Sequence, residues 1–518
     1  MVSEIVLGAP ILWASIVIPF IGGLSSALAG NRMNGRQHTA INSATWLISL
    51  VLVVYASIIL YTSGANTIID PGYGKVPGIG WFALFLDGVS AALAISIATV
   101  SLGIAAYSYH YMKHRFEELG VGEPWGTYFI LYQLFTIGML GVVYANNTIL
   151  FYLFLEITLI PSFLLIVLYG YGDRVRIGLL YLVWTHVGAA LYLIGSLLIG
   201  FTTTFDYYVP GIGYTVNIEA SMPAIYAIIA FVLLVVGLTI KGALFGFHMW
   251  LPYAHAEAPT PISALLSPLL IGLGLYGLFR IVYGFFPGLW SHAAPVLIAW
   301  AFITMIYGGF LAYTQNDVKR FLAYSSISQM GYLMLGLATT SYAGIAGSMF
   351  HYVTHAFGKA VLFGIAGVLI VTAHTRDMNK MGGLAGKLPY AAALALLGFL
   401  HITGIPPTMG LWSEYLIARG LAEWSAGHGT GVFVTALVLF MTAVAISTVY
   451  SFVGFKRIFL SEPGEAYKHV SMTEPSVMIA SLAFLGILGV FFFVFPTPVL
   501  DVLVKTVRGM YVLKLGGG

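Results

Sequence analysis

The sequence predicts an all-α polytopic membrane protein, and three observations carry that prediction. Hydrophobic residues make up 59% of the 518 residues, with mean hydropathy +0.93. A soluble chain holds about 45–50% apolar residues. The apolar residues gather in fourteen stretches, each near the roughly 20 residues a helix needs to cross a bilayer. Charged residues are only 8% of the chain, yet Glu156, Lys241, Lys359 and Glu414 lie inside those stretches. A charge at the bilayer centre costs roughly 2.5–3.5 kcal/mol on insertion scales, so such residues are kept for a purpose.

In order, the predicted spans cover 5–29, 39–62, 82–108, 127–145, 147–170, 177–202, 222–247, 258–286, 292–314, 320–340, 342–373, 389–418, 430–455 and 475–503. The first begins near Ile5 with no basic segment before it. It also lacks a convincing cleavage site, so it is expected to be a mature span rather than a signal peptide. The connections 64–80 and 203–221 are the longest, Gly-rich and short, and no soluble domain is expected.

Spans 7 and 12 are interrupted. One reads Lys241-Gly-Ala-Leu-Phe-Gly-Phe-His248-Met-Trp-Leu-Pro252, the other His401-Ile-Thr-Gly-Ile-Pro406-Pro407-Thr-Met-Gly-Leu-Trp-Ser-Glu414. Glycine and proline free backbone groups that protein or water must satisfy at membrane depth. Corresponding breaks in two halves point to an inverted repeat with a site at each break. Trp184-Thr185-His186-Val-Gly echoes Val353-Thr354-His355-Ala-Phe-Gly 169 residues later, and the same offset lays Glu156 over Ser325. The expected organisation is a three-helix segment over 1–126, a first repeat (spans 4–8) over 127–286, a second (spans 9–13) over 287–457, and a C-terminal helix over 458–518.

Of the 22 Lys and Arg residues, fourteen fall in the odd-numbered connections and six in the even ones and the tails. Basic loops face the cytoplasm. This predicts a multi-pass protein of the cell membrane with both termini on the outer side.

The chain has no cysteine, which excludes disulfides and Cys-held iron–sulfur clusters. Net charge is +3, too small to point to nucleic acid. No dinucleotide fingerprint, P-loop, catalytic triad or haem-ligand pattern is visible. Gly272–Gly274 reads as a packing surface inside a membrane helix. No cofactor, metal or redox-catalytic residue is expected in this chain.

The buried charges form a pattern suited to a proton path. Glu156 is flanked by apolar turns, and a short Glu snorkels poorly; the plainer alternative is a structural carboxylate bonded to a neighbouring helix. Lys241 ends an apparent span beside a break, where backbone and water can solvate it; the alternative is a lysine snorkelling to the interface. His351, His355 and Lys359 lie at i, i+4 and i+8, one stripe on a helix. Histidine changes charge nearest neutral pH, and the proton affinity of a buried lysine responds to neighbouring charge. A His-xxx-His pair can bind metal, but no third ligand is evident; histidines that merely bridge helices are the other alternative. Glu414 follows the second break and completes the line. His248, His186 and His401 are weaker candidates. Asp317-Val-Lys319-Arg320 reads as a helix-start cluster that anchors topology.

Three segments carry a family resemblance. They are Phe247-His-Met-Trp-Leu-Pro252 with Ala254-His-Ala-Glu-Ala-Pro-Thr-Pro261, Gln315 through Gly331, and Thr354-His-Ala-Phe-Gly-Lys359. They resemble the antiporter-like subunits of respiratory complex I, of membrane-bound energy-converting hydrogenases and related archaeal complexes, and of Mrp-type cation/proton antiporters. The resemblance spans predicted helices 4 to 13. It implies a fourteen-helix inverted-repeat fold with an ion path along the membrane midplane. By position, Glu156 resembles the family's fifth-helix glutamate, Lys241 its seventh-helix lysine and Lys359 the relay lysine of the second half. Glu414 falls where members carry Lys or Glu. One departure is Gly272, where many members have a lysine. The short stretch after the last span resembles the middle subunits of complex I rather than the terminal one.

The expected function is thus a proton-translocating subunit of a redox-driven membrane complex, with other membrane subunits, including neighbouring antiporter-like ones, as partners. The alternatives are an Mrp-type sodium/proton antiporter subunit without a redox partner, and an inactive membrane scaffold.

Overall fold

The computed structural model describes residues 4–515. Seventeen helices account for most of the chain: α1 (Ile11–Ala29), α2 (Gly35–Ser63), α3 (Gly88–Leu119), α4 (Trp125–Tyr144), α5 (Thr148–Tyr169), α6 (Arg174–Thr202), α7 (Ala224–Lys241), α8 (Trp250–Glu257), α9 (Thr260–Tyr283), α10 (Pro287–Tyr313), α11 (Val318–Ala338), α12 (Tyr342–Ala373), α13 (Pro389–Ile402), α14 (Gly410–Ala426), α15 (Thr430–Phe455), α16 (Ser476–Val494) and α17 (Thr497–Leu515). Each predicted span is largely helix. Twelve helices among the described residues are long and apolar enough to cross a membrane. The others include α11, whose Ser325, Ser326, Ser328 and Gln329 lower its hydropathy, and the halves of the broken span, α13 and α14.

Side-chain caps start several of these helices. Asn34 and Gln37 form a capping box on α2, and Asp87 and Ser90 one on α3. Asn147, Asp317 and Ser341 cap α5, α11 and α12. Each supplies an acceptor for a backbone N–H that has no partner within the helix. α9 is wholly buried and α12 nearly so, whereas α2, α15 and α16 turn most of their apolar surface outward. The bundle is therefore organised around α9 and α12.

Three predicted boundaries are corrected. Glu4–Val6 is a strand (β1), and the first helix starts at Ile11. β1 runs parallel to β2 (Thr67–Val76), which pairs antiparallel with β3 (Gly80–Asp87). The third helix accordingly begins at Gly88, not at 82. A short apolar run such as Trp81–Leu86 reads equally as strand or helix by periodicity; the Asp87 cap decides where helix begins. A second small hairpin pairs β4 (Tyr208–Val209) with β5 (Gly213–Tyr214). The last predicted span breaks at Phe495, before Pro496, because the residue preceding a proline is steered away from helical geometry; α16 and α17 are separate helices.

The connections sort to two ends. At one end, the Tyr208 hydroxyl donates to Glu4 (2.9 Å), Asn217 N–H to the Gly284 carbonyl (2.9 Å) and Lys505 to the Gly64 carbonyl (2.7 Å). At the other, Tyr171 N–H donates to the Glu257 carbonyl (2.8 Å), Arg376 pairs with Asp317 (3.0 Å), and Arg457 donates to the Gln315 carbonyl (2.9 Å). The first end collects the even-numbered connections, the second the odd-numbered, basic ones.

Candidate functional site: two buried charge clusters

The first cluster lies where α7 stops. Lys241 is its last residue and is 6% exposed. The residues from Gly242 to Met249 are irregular, with Ala243 and Gly246 at positive φ (52° and 89°). The carbonyls freed by this break are met by three indoles. Trp250 Nε1 donates to the Ile240 carbonyl (3.0 Å), Trp184 Nε1 to Phe247 (2.9 Å) and Trp300 Nε1 to Phe245 (2.9 Å). Tryptophan serves here because its apolar body fills the bilayer-depth space while its N–H satisfies the backbone. His248 sits in the same break, 4% exposed, against Phe245 and Tyr307.

Glu156, on α5, is within electrostatic range of Lys241. Its contact at 3.5 Å, however, is His186 Nδ1 on α6. The Glu156 side chain is 20% exposed and that of His186 56%. Glu156 and Lys241 thus influence each other without forming a closed ion pair, and the acid opens toward the rim of the bundle.

The second cluster is sealed. His351, His355 and Lys359 lie along one face of α12, each at most 1% exposed. Lys359 Nζ donates to Ser325 Oγ and to the Leu322 carbonyl (3.2 Å), both on α11. Ser325 is the residue that the 169-residue offset places opposite Glu156. His351 Nε2 contacts Gln329 Oε1 (2.9 Å), and Nδ1 contacts Ser413 Oγ (3.0 Å). Gln329 turns its amide nitrogen toward Ser447 and Tyr450, so its oxygen faces the histidine. A neutral His351 donates to Gln329 and accepts from Ser413. A protonated His351 donates to both, and Ser413 then gives its hydrogen to the Gly410 carbonyl, 2.9 Å away. His355 Nε2 has no hydrogen-bond partner.

Glu414 follows Ser413 on α14, 9% exposed, with Oε1 unpartnered. Its carboxylate lies over Gly404 (φ 64°), where a Cβ would come within 2.5 Å of Glu414 Oε2. The second break thus makes room for the acid. His401 is anchored to its own helix through the Leu397 carbonyl (2.8 Å).

Sequence reasoning missed three buried groups. Lys319, expected to be a surface anchor, is 0% exposed and donates to the carbonyls of Ala256 (3.5 Å) and Ala258. His255, also 0% exposed, has both ring nitrogens unpartnered and stacks on Phe363, one turn from Lys359. It interacts electrostatically with both Lys319 and Lys359. Both residues lie inside the segments that carried the family resemblance, which was the available signal. Arg280, counted among the even connections, is instead fully buried and donates two hydrogen bonds to the Asp87 carboxylate (2.6 and 2.9 Å), which also accepts one from the Tyr214 hydroxyl.

Acids, lysines and histidines at two helix breaks and on the continuous helices beside them, inside a bundle of membrane-length helices, define a multi-pass membrane protein built to handle ions. Residues 145–442 match the family described as NADH:quinone oxidoreductase/Mrp antiporter, TM. The match covers more than half of the chain, and the chain belongs to that family. NADH-quinone oxidoreductase subunit M of Rickettsia conorii is 27% identical over 97% of this chain and 99% of its own length. F(420)H(2) dehydrogenase subunit M of Methanosarcina mazei is 28% identical over 91% of this chain and 92% of its own. A chain of respiratory complex I from Thermus thermophilus superposes with a TM-score of 0.77 at 25% identity, covering 96% of this chain and 99% of that one. A chain of the Mrp complex from Dietzia sp. gives 0.82 at 20% identity, over 97% and 98%, a likeness of fold.

Proposed function

We propose that this chain is a proton-translocating, antiporter-like membrane subunit of a redox-driven complex, with other membrane subunits of that complex as its partners. The observation that carries this reading is Lys359, a lysine with no exposed surface held by a serine hydroxyl and a carbonyl. Such a site can take up and release a proton as charge nearby changes. His351 and His355 lead to it along one helix face, and Glu414 stands beside the break in the next span. Glu156, Lys241 and His248 are the corresponding groups of the first half, in repeats over 127–286 and 287–457. The full-length relatives are named as subunits of redox enzymes, which favours this reading over an Mrp-type antiporter subunit. In reconstituted vesicles holding the assembled complex, Lys359→Ala should remove most translocation per electron. An unchanged ion-to-electron ratio would refute the proposal.

The distribution of basic residues supports a cell-membrane orientation with the odd connections in the cytoplasm and both termini outside. The chain has no cysteine, so a single introduced one reports its side cleanly. A membrane-impermeant maleimide added to intact cells should label Thr215→Cys and not Thr375→Cys; the reverse would invert the topology.

A further inference from the structure

The carbonyl that holds Lys359 is contested. Within α11, helical geometry gives the Leu322 oxygen to the N–H of Ser326, four residues on. Three side chains reach the same oxygen: Lys359 Nζ (3.2 Å), Ser325 Oγ (2.9 Å) and Ser326 Oγ (2.9 Å). A carbonyl oxygen has two lone pairs, so these donors cannot all be served at once. Ser325 also accepts from Lys359 and turns its own hydrogen to Leu322. Ser326 differs, because its hydroxyl has a second partner. Ser267 Oγ, on α9, lies 2.6 Å from it.

Ser267, Ser325, Ser326 and Lys359 are all 0% exposed, so each hydrogen must find its acceptor among them. Ser267 stands in a π-helical turn of α9, Leu266–Leu270, the kind of local widening that recurs at functional positions in helices. A hydroxyl has one hydrogen to give, and two arrangements fit the same atoms. In one, Ser267 donates to Ser326, and Ser326 donates to the Leu322 carbonyl in competition with the lysine. In the other, Ser326 donates to Ser267 and leaves the carbonyl to Lys359 and Ser325. An ammonium carries three donors and no acceptor, so the second arrangement favours the charged lysine and the first the neutral amine.

Several titratable groups surround Lys359. His355 on its own helix and His255 on α8 act on it electrostatically. Lys319 lies one turn before Leu322 on α11. His401 on α13 backs Gly358, where a Cβ would fall 2.8 Å from its own, and the Tyr107 hydroxyl on α3 donates to the Gly364 carbonyl (2.8 Å). Glu414 comes from α14, and Arg508 of α17 stands over Tyr342 at the far end of α12. The α9 stretch Thr260–Leu270 and α16 bring no titratable side chain. Neither serine is one of these groups, so changing a serine leaves every one of them in place.

We propose that Ser326 and Ser267 are positioning residues for proton loading at Lys359: the direction of the hydrogen bond between them decides whether the Leu322 carbonyl is free to hold the charged lysine. This rests on the proton-translocating reading above and deepens it, since it ties the proton affinity of Lys359 to where α9 holds Ser267.

Opposite shifts of one pH profile test it. The quantity measured is the ion-to-electron ratio of the assembled complex in proteoliposomes, as a function of pH. Ser326→Ala removes the competitor, and the pH above which the ratio falls should rise by about one unit. Ser267→Ala leaves the Ser326 hydrogen on the Leu322 carbonyl, and the fall should come at lower pH by a similar amount. The double variant should follow Ser326→Ala, because Ser267 acts only through Ser326. Ser326→Thr keeps the hydroxyl and should restore the wild-type profile. Lost packing alone would lower the yield or the ratio without moving the pH of the fall. Single-variant profiles that coincide with the wild type, or that shift in the same direction, overturn the proposal. Lys359→Ala in the same vesicles separates it from the reading beneath. An unchanged ratio there refutes translocation through Lys359 and the proposal with it, whereas a lost ratio there with unmoved serine profiles refutes the proposal alone.

Discussion

The two halves hold their buried lysines by different means. Lys241 sits at the end of a helix that breaks, with three tryptophan indoles repairing the exposed backbone and an acid, Glu156, open toward the bundle rim. Lys359 lies in the middle of an unbroken 32-residue helix, sealed, and held by Ser325, the residue that the 169-residue sequence offset lays over Glu156. The break in the second half falls instead at Glu414. Each half therefore places one charge at a break and another on a continuous helix, with the signs exchanged: lysine at the break and glutamate on the helix in the first, glutamate at the break and lysine on the helix in the second. A break supplies free backbone groups and space. A continuous helix must find its partners on neighbouring helices.

The largest effect expected from this contrast is at the sealed site. Lys359→Arg should fail as fully as Lys359→Ala, because arginine stays protonated and its fork does not fit a point-charge site. Pumping by an assembled Lys359→Arg complex would show that the site is a fixed charge, not a proton carrier. Loss of the ion pair that closes one end of the bundle ranks next. Asp87→Ala leaves Arg280 buried and uncompensated, a cost of about 3–5 kcal/mol. The variant complex should show a lower yield and a lower melting temperature, and a wild-type melt would contradict the buried pairing. A partial effect is expected at the open rim. Glu156→Gln should lower translocation while assembly persists, and His186→Ala should lower it less. Equal rates in wild type and Glu156→Gln would mean that the first half runs without its acid.

The smallest effect concerns the connection between α6 and α7. Burial raises the Asp206 carboxyl from 3.8 to about 6, against the Trp81 N–H, Lys75 and Asn147, which hold it down. A carboxyl raised in the fold binds its proton more tightly there than in the unfolded chain. Its protonation stabilises the fold below about pH 4, and that contribution fades as pH rises to about 6. Asp206→Asn keeps an oxygen for Trp81 N–H (3.0 Å) and should flatten the melting temperature between those pH values. The same pH slope in both proteins would remove Asp206 as its source.

Much of the site was legible in the sequence because membranes make charge expensive. Glu156, Lys241, Lys359 and Glu414 stand out against apolar neighbours, and the stripe His351, His355, Lys359 follows from helical spacing alone. Glycine and proline marked both breaks. Lys319 and Arg280 were misplaced because they lie near span ends, where one-dimensional reading assigns basic residues to loops. His255 was overlooked because it sits in a short helix between two breaks, where no periodicity runs long enough to give it a face.

By itself, then, the sequence determined depth: which segments are apolar enough to enter a bilayer, where helices must stop, and which charges are carried inside. Only the tertiary structure decided lateral neighbours. It put His186 rather than Lys241 against Glu156, Asp87 on Arg280 across 193 residues, Lys319 on the carbonyls ending α8, and Ser267 against Ser326. The physical reason is that hydropathy follows the solvent a segment meets, a property of that segment alone. Which side chains touch is set by how helices far apart in sequence pack, and apolar spans pack on one another without leaving a mark in either one.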